Sequence, residues 1–217
     1  MTAESPSLRA MSSNRIPVIG IVGGIGSGKS AVAAWVAEHA CVSVIDADRL
    51  GHDALLDPSV KELLRRRFGN AILGTDGAVI RSELARMIFG VSSDCLAGRQ
   101  DLEQIVHPEI ERGVFKAVAA AAAARKKGVL LDAAILLETG WRNKCDLVVY
   151  IDTPDAVRLD RVRKTRGWSG DELRRRDASQ WSLIEKRRES DLIITNDADI
   201  EAAGQQLLAA IQQRGWL

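Results

Sequence analysis

The chain has 217 residues, with 30 lysines and arginines against 29 aspartates and glutamates, a net charge of +1. That length holds one α/β domain with a full core plus an inserted subdomain, and strains to hold two independent domains. The near-neutral balance excludes a global field that would draw the protein onto nucleic acid or an anionic membrane, and three scattered cysteines, Cys41, Cys95 and Cys145, exclude a disulfide framework or a C-x-x-C zinc site. Such cysteine usage fits a reducing cytoplasm.

Residues 1–14 are polar, lack the apolar stretch of a signal peptide and read as a disordered N-terminal tail, with Met11 a second candidate start. Ile16 to Val22 is an apolar, largely β-branched run ending at glycine, and Ala31 to His39 is rich in helix formers, which together predict strand, loop and helix. Val42 to Ile45, Val129 to Leu131, Leu147 to Ile151 and Leu192 to Thr195 are further short apolar runs without period-two alternation, the pattern of strands buried on both faces of a parallel sheet. About 80 residues separate the second run from the third, against roughly 30 for a whole βαβ unit. Repeated helical patterns fill that gap and predict a helical insert over 53–127. The short run Ala117 to Ala124, flanked by Lys116 and Arg125, is too weakly hydrophobic to span a bilayer and reads as helix. Pro154 opens a charged helical stretch, and Ile200 to Ile211 carries apolar residues at helical spacing. The expected organisation is a single domain over 15–217, with a core at 15–52, 128–154 and 191–217, the insert, and a lid over 155–190.

The most specific feature is GGIGSGKS, Gly23 to Ser30, which fits G-x-x-x-x-G-K-S. Gly24, Ile25, Gly26, Ser27 and Gly28 would wrap phosphate oxygens with backbone N–H groups, and the helix beginning at Lys29 adds its positive end. Lys29 is placed for the β- and γ-phosphates of ATP, and the Ser30 hydroxyl for Mg²⁺. The loop alone does not separate kinase, GTPase and ATPase. Asn143-Lys144-Cys145-Asp146 fits the guanine signature N-K-x-D, but it precedes an apolar strand where GTPases have it following one.

Carboxylates cluster near the expected mouth of the sheet. Val44-Ile45-Asp46-Ala47-Asp48 ends the second strand, and alternation along an extended segment would put Asp46 and Asp48 on one side. One is suited to accept a proton from a substrate hydroxyl and the other to hold Mg²⁺ through water; an acid after a strand also serves as a helix cap. Val129-Leu130-Leu131-Asp132 competes, because an apolar run ending in Asp is how a Walker-B magnesium ligand looks. Downstream, Asp155 to Asp191 is dense in arginine, and Arg161 and Arg166, near Gly167, are the best placed to neutralise charge on a transferring phosphoryl group. Neighbouring acids dilute this patch and only Trp168 and Trp181 interleave with it, which argues against nucleic-acid binding.

Taken in order, these residues resemble the dephospho-coenzyme A kinase family. The resemblance covers nearly the whole chain after the tail. It rests on GGIGSGKS, on VIDAD at Val44 to Asp48, on Arg81, Leu84, Ile88 and Phe89 in an R-x-x-L-x-x-x-I-F pattern, on His107-Pro108, on Leu136-Leu137-Glu138, on Arg161 and Arg166, and on Gln180, Lys186, Asp191 and Asn196. It implies an α/β P-loop kinase fold with a five-stranded parallel sheet, helices on both faces, a helical coenzyme-binding insert and a lid. It also implies phosphorylation of the ribose 3′-hydroxyl of dephospho-coenzyme A by ATP with Mg²⁺; no nucleic-acid or membrane partner is expected, and the oligomeric state is left open. By resemblance Asp48 is the catalytic base, Asn196 and Ala31 join the ATP site, and Arg81, His107, Leu137 and Glu138 contact the coenzyme. From sequence, His107 before Pro108 equally suits a turn or a helix start, and Glu138 equally caps the segment before Trp141. The chain departs from the family in Ala31, where Thr is usual, in Ala134 to Glu138, which lacks the proline and phenylalanine of P-L-L-F-E, and in Arg166, five residues after Arg161 where many relatives have four. A kinase for another small nucleoside or nucleotide and a non-catalytic nucleotide switch are the alternative readings.

Overall fold

The computed structural model describes residues 15–88 and 92–217. Phe89 and the tail expected at residues 1–14 lie outside them. Five strands, β1 (Val18–Gly23), β2 (Val42–Asp46), β3 (Gly128–Asp132), β4 (Leu147–Asp152) and β5 (Leu192–Thr195), form one sheet in the order β2-β3-β1-β4-β5. Every pairing is parallel, with Val18 opposite Val129 and Ile19 opposite Leu147. The described helices are α1 (Lys29–His39), α2 (Ala47–Ala54), α3 (Pro58–Phe68), α4 (Arg81–Ile88), α5 (Ser93–Ala123), α6 (Asp155–Arg166), α7 (Gly170–Asp177), α8 (Leu183–Arg188) and α9 (Ile200–Gln213).

The chain divides into two compact units, one built from residues up to Asp46 with Ala117–Leu217, the other from Ala47–Lys116. In the first, α1 and α9 cover one face of the sheet, where Ile19, Ile21, Val36, Leu130, Val149, Ile151, Leu207 and Ile211 are buried together. Each such side chain contributes about 1.5–3 kcal/mol by leaving water. Gly204 of α9 lets this layer close: a Cβ there would stand inside the Trp35 ring. On the other face Leu136 and Cys145 press on Gly20, where a Cβ would come within 2.7 and 2.9 Å of them. Burial pushes the Cys145 thiol up to about 12, so it packs and does not react. The outer strands differ from the expectation of burial on both faces. Val44 of β2 and Ile193 of β5 are 39% and 40% exposed, because an edge strand is covered less completely than β1, β3 and β4.

Local signals delimit the lid helices. Gly167, at φ 67°, ends α6 in the left-handed conformation. Ser169 caps α7 by accepting from the Glu172 N–H, and Ser182 and Glu185 form a capping box on α8. In the second unit, α2–α5 enclose a core of Val60, Leu64, Ile72, Leu84, Ile88 and Val106. Asp57 caps α3 with Pro58 in its first turn. The expectation of a turn or helix start at His107-Pro108 is corrected: both lie inside α5, which runs through the proline. An interior proline costs about 3 kcal/mol. The burial of Val106, with Ile105 and Ile110 packed against the same core, holds the helix across it.

Candidate active site

β1 ends at Gly23 and α1 begins at Lys29, so the intervening loop sits at the C-terminal edge of the sheet, against the positive end of a helix. Gly28 holds φ 86°, and a Cβ there would lie 2.5 Å from Asn196 Nδ2. Glycine is therefore required twice over, by conformation and by space. No side chain caps α1, which leaves its first N–H groups directed at the loop mouth.

The loop is shaped from behind. The buried Ser27 carbonyl accepts hydrogen bonds from Thr153 Oγ1 at 3.0 Å, Asn196 Nδ2 at 2.7 Å and Arg161 Nη1 at 3.2 Å. Arg161 Nη2 also donates to Asn196 Oδ1 at 3.3 Å. Beside it, Arg158 is 4% exposed, donates to the Ile25 carbonyl at 2.9 Å, and pairs with Asp155 and Asp177, each at 2.9 Å. Within the arginine-dense stretch after Asp155, the sequence did not single out Arg158, whose place is beneath the loop, nor did it point to Thr153. Lys29 Nζ donates to the Gly23 and Gly24 carbonyls, both at 3.2 Å, which folds the ammonium over the loop.

The acids separate by environment. Asp132, at the end of β3, accepts a hydrogen bond from the Ser30 hydroxyl, and Asp46 is its register partner on β2. Burial holds the Asp132 carboxyl above the ordinary carboxylate range; Asp46 pushes the same way, while the Ser30 hydrogen bond and the Lys29 charge oppose it. Asp46 is exposed. The alternation that would align Asp46 with Asp48 does not apply, because the backbone turns helical at Ala47 and Asp48 lies in the first turn of α2. In that helical unit Asp48 and Arg81 are exposed and His107 is half-buried.

The turn after β3 buries Leu137 and brings Glu138 to Lys186, a cation only 1% exposed, at 3.0 Å. Lys186 also donates to the Ala134 carbonyl and to Gln180 Oε1, each at 2.9 Å, and Glu138 Oε1 accepts from the Trp181 N–H. A charge so buried is stable only when paired in this way. Glu138 Oε2 is buried and has no donor among the described residues. Arg166 is not gathered with Arg161: its guanidinium lies over Trp168, 4.8 Å from the ring centre, and Arg176 lies 4.2 Å from the same ring. The N-K-x-D resemblance sits at the opposite edge of the sheet. Asp146 binds Arg15 and accepts from the Val18 N–H at 2.8 Å. At about 3.3 Å per residue, β1 separates Val18 from Gly23 by about 16 Å. Asp146 is thus a strand-start ligand, and guanine recognition at the loop is excluded.

A parallel sheet of this order, with a glycine loop, an uncapped helix start, Lys29 and Ser30 at its mouth and arginines behind it, defines a P-loop kinase. The dephospho-CoA kinase family model matches residues 17–202. A dephospho-CoA kinase of Rhodopirellula baltica is 34% identical over 202 residues, which are 93% of this chain and 92% of that protein. The crystal structure of TT1252 from Thermus thermophilus superposes with a TM-score of 0.76 at 30% identity, covering 92% of this chain and 98% of that one. A dephospho-CoA kinase from Campylobacter jejuni shares the fold, with a TM-score of 0.58 at 20% identity over 93% and 98% of the two chains. The chain belongs to the dephospho-CoA kinase family and is a kinase. Among the described residues no helix is long and apolar enough to cross a membrane.

Proposed function

We propose that the chain transfers the γ-phosphoryl group of ATP to the ribose 3′-hydroxyl of dephospho-coenzyme A, giving coenzyme A and ADP, in the cytoplasm. The observation that carries this reading is the loop Gly23–Ser30, shaped in advance by Asn196, Arg161 and Arg158, in a chain of that family. Gly24 to Ala31 and Asn196 form the ATP site. Lys29 turns from the Gly23 and Gly24 carbonyls to the β- and γ-phosphates, and Arg161, with Arg166 from the lid over 155–190, neutralises charge that spreads over the transferring group. Asp48 takes the proton of the 3′-hydroxyl as its oxygen forms the new bond to phosphorus. The bond from phosphorus to the bridging oxygen breaks in line, and ADP leaves with that electron pair.

The helical unit serves as the coenzyme-binding insert through Arg81 and His107, and Leu137 and Glu138 complete the acceptor side. The free Oε2 of Glu138 suits a hydroxyl or amino donor of the acceptor. The donor set around Ser30, a hydroxyl with the Asp132 and Asp46 carboxylates, is all hard oxygen and fits Mg²⁺. Ser30 would hold the ion directly and Asp132 through water, with Asp46 further out. When bound, Mg²⁺ supplies Lewis-acid neutralisation of the phosphate oxygens.

The experiment is a coupled ADP-release assay over a panel of acceptors. Turnover that depends on dephospho-coenzyme A supports the proposal, turnover with a different nucleoside or nucleotide replaces the acceptor, and ATP binding without acceptor-dependent turnover removes the enzymatic reading. Asp48→Asn tests the base: kcat falls about 10²-fold with ATP affinity retained, and a near-normal kcat strips Asp48 of that role.

A further inference from the structure

Arg81 opens α4, and its Nη2 lies 2.9 Å from His52 Nε2 on α2. A guanidinium carries only donors and stays protonated at any working pH. In this contact His52 Nε2 is therefore the acceptor. The contact joins side chains 29 positions apart, so it is a tertiary link and not a helix-surface pair. His52 follows Asp48 by four residues on the same helix, one turn on, so both stand on one face of α2. That helix is fixed within its unit: Leu50 lies against Gly113, where a Cβ would meet it at 3.1 Å, and a Cβ on Gly51 would meet Ile110 at 3.4 Å. Held at one nitrogen, the guanidinium keeps its other N–H groups for a bidentate contact with phosphate oxygens.

We infer that His52 is a positioning residue that holds the Arg81 guanidinium for the diphosphate of the acceptor, which rests on the reading above that Arg81 binds that acceptor. An exposed arginine otherwise samples many rotamers, and restraining one before binding removes part of the ordering cost from the association step. His52 touches no reacting atom. Its effect belongs to acceptor affinity and not to the chemical step.

Steady-state kinetics on the full chain test this, with melting temperature and ADP affinity measured alongside. His52→Leu raises KM for dephospho-coenzyme A about fivefold to tenfold, the weight of one ordinary side-chain hydrogen bond lost from the orienting contact, with kcat, KM for ATP, ADP affinity and melting temperature unchanged. His52→Gln, whose side-chain oxygen can accept from Arg81, restores KM to within about twofold. Arg81→Ala raises the same KM at least as far as His52→Leu. If Arg81→Ala raises KM and His52→Leu does not, the inference is overturned while the acceptor reading stands. If Arg81→Ala leaves KM unchanged, or dephospho-coenzyme A is not turned over at all, the reading of Arg81 fails and takes the inference with it. A loss in His52→Leu that Gln does not restore, or that extends to ADP affinity or melting temperature, also overturns the inference, because it reports packing and not the hydrogen bond.

Discussion

Ser30 and Asp132 meet at the loop mouth with the carboxyl buried, and this sets a measurable pH dependence. Burial raises the Asp132 pKa above its unfolded value, so between the two the folded chain binds more protons than the unfolded chain. Its contribution to stability is present below the ordinary carboxylate range and is lost as pH rises through the raised pKa. Asp132→Asn removes that loss. In urea melts without nucleotide, the variant gains stability relative to the parent between pH 4 and pH 7, and a gap independent of pH would show that the carboxyl titrates normally. Neighbouring sequence made most loop residues legible, since Gly23 to Ser30 is contiguous. Arg158 was not legible in the same way, because its anchors are Asp177 and the Ile25 carbonyl, 19 and 133 positions away. Nothing in its own stretch of charged helix distinguishes it from Arg163, which stays exposed.

Elements were read best where one physical cause dominates. All five strands appear at the apolar runs, and α6 opens after Pro154 as expected, whereas the Ser-x-x-Glu starts of α7 and α8 were present in the sequence and went unread. Misreadings fell where two causes compete. Asp48 looked extended because a strand precedes it, yet α2 starts at once, without a linker to announce it. Pro108 looked like a boundary, yet packing on both sides carries α5 through it. Two tests belong at this scale. Gly204→Ala gains helix propensity but forces a methyl into Trp35, so a net loss of about 1–2 kcal/mol is expected from overpacking; unchanged or higher stability in a denaturant titration would show that the ring yields. In the lid, Trp168 carries Arg166 and Arg176 on its ring. If Arg166 leaves for the phosphates as proposed, nucleotide binding alters Trp168 emission. The change seen on adding ATP should disappear in Trp168→Phe, and its persistence there would assign it to another of the five tryptophans.

At the scale of the molecule, the sheet unit and the helical unit each have their own apolar cluster. Loop, lid arginines and Asn196 all belong to the first, so if they hold nucleotide as proposed, ADP alone would find its partners within that unit. At a hundredfold excess over its Kd, ADP should stabilise that unit by about 2.7 kcal/mol, a rise in Tm of several degrees by calorimetry; no shift would mean that the loop does not hold nucleotide in the folded chain.

The Ser27 carbonyl is held by Thr153, Arg161 and Asn196, so its three side-chain donors are all made long after it. During synthesis the GGIGSGKS segment leaves the ribosome some 170 residues before Asn196, at 5–20 residues per second about ten to thirty seconds earlier. Over that interval the Ser27 carbonyl lacks its full set of donors. If the loop holds nucleotide as proposed, ATP is expected to gain its full set of protein contacts only after the last strand docks.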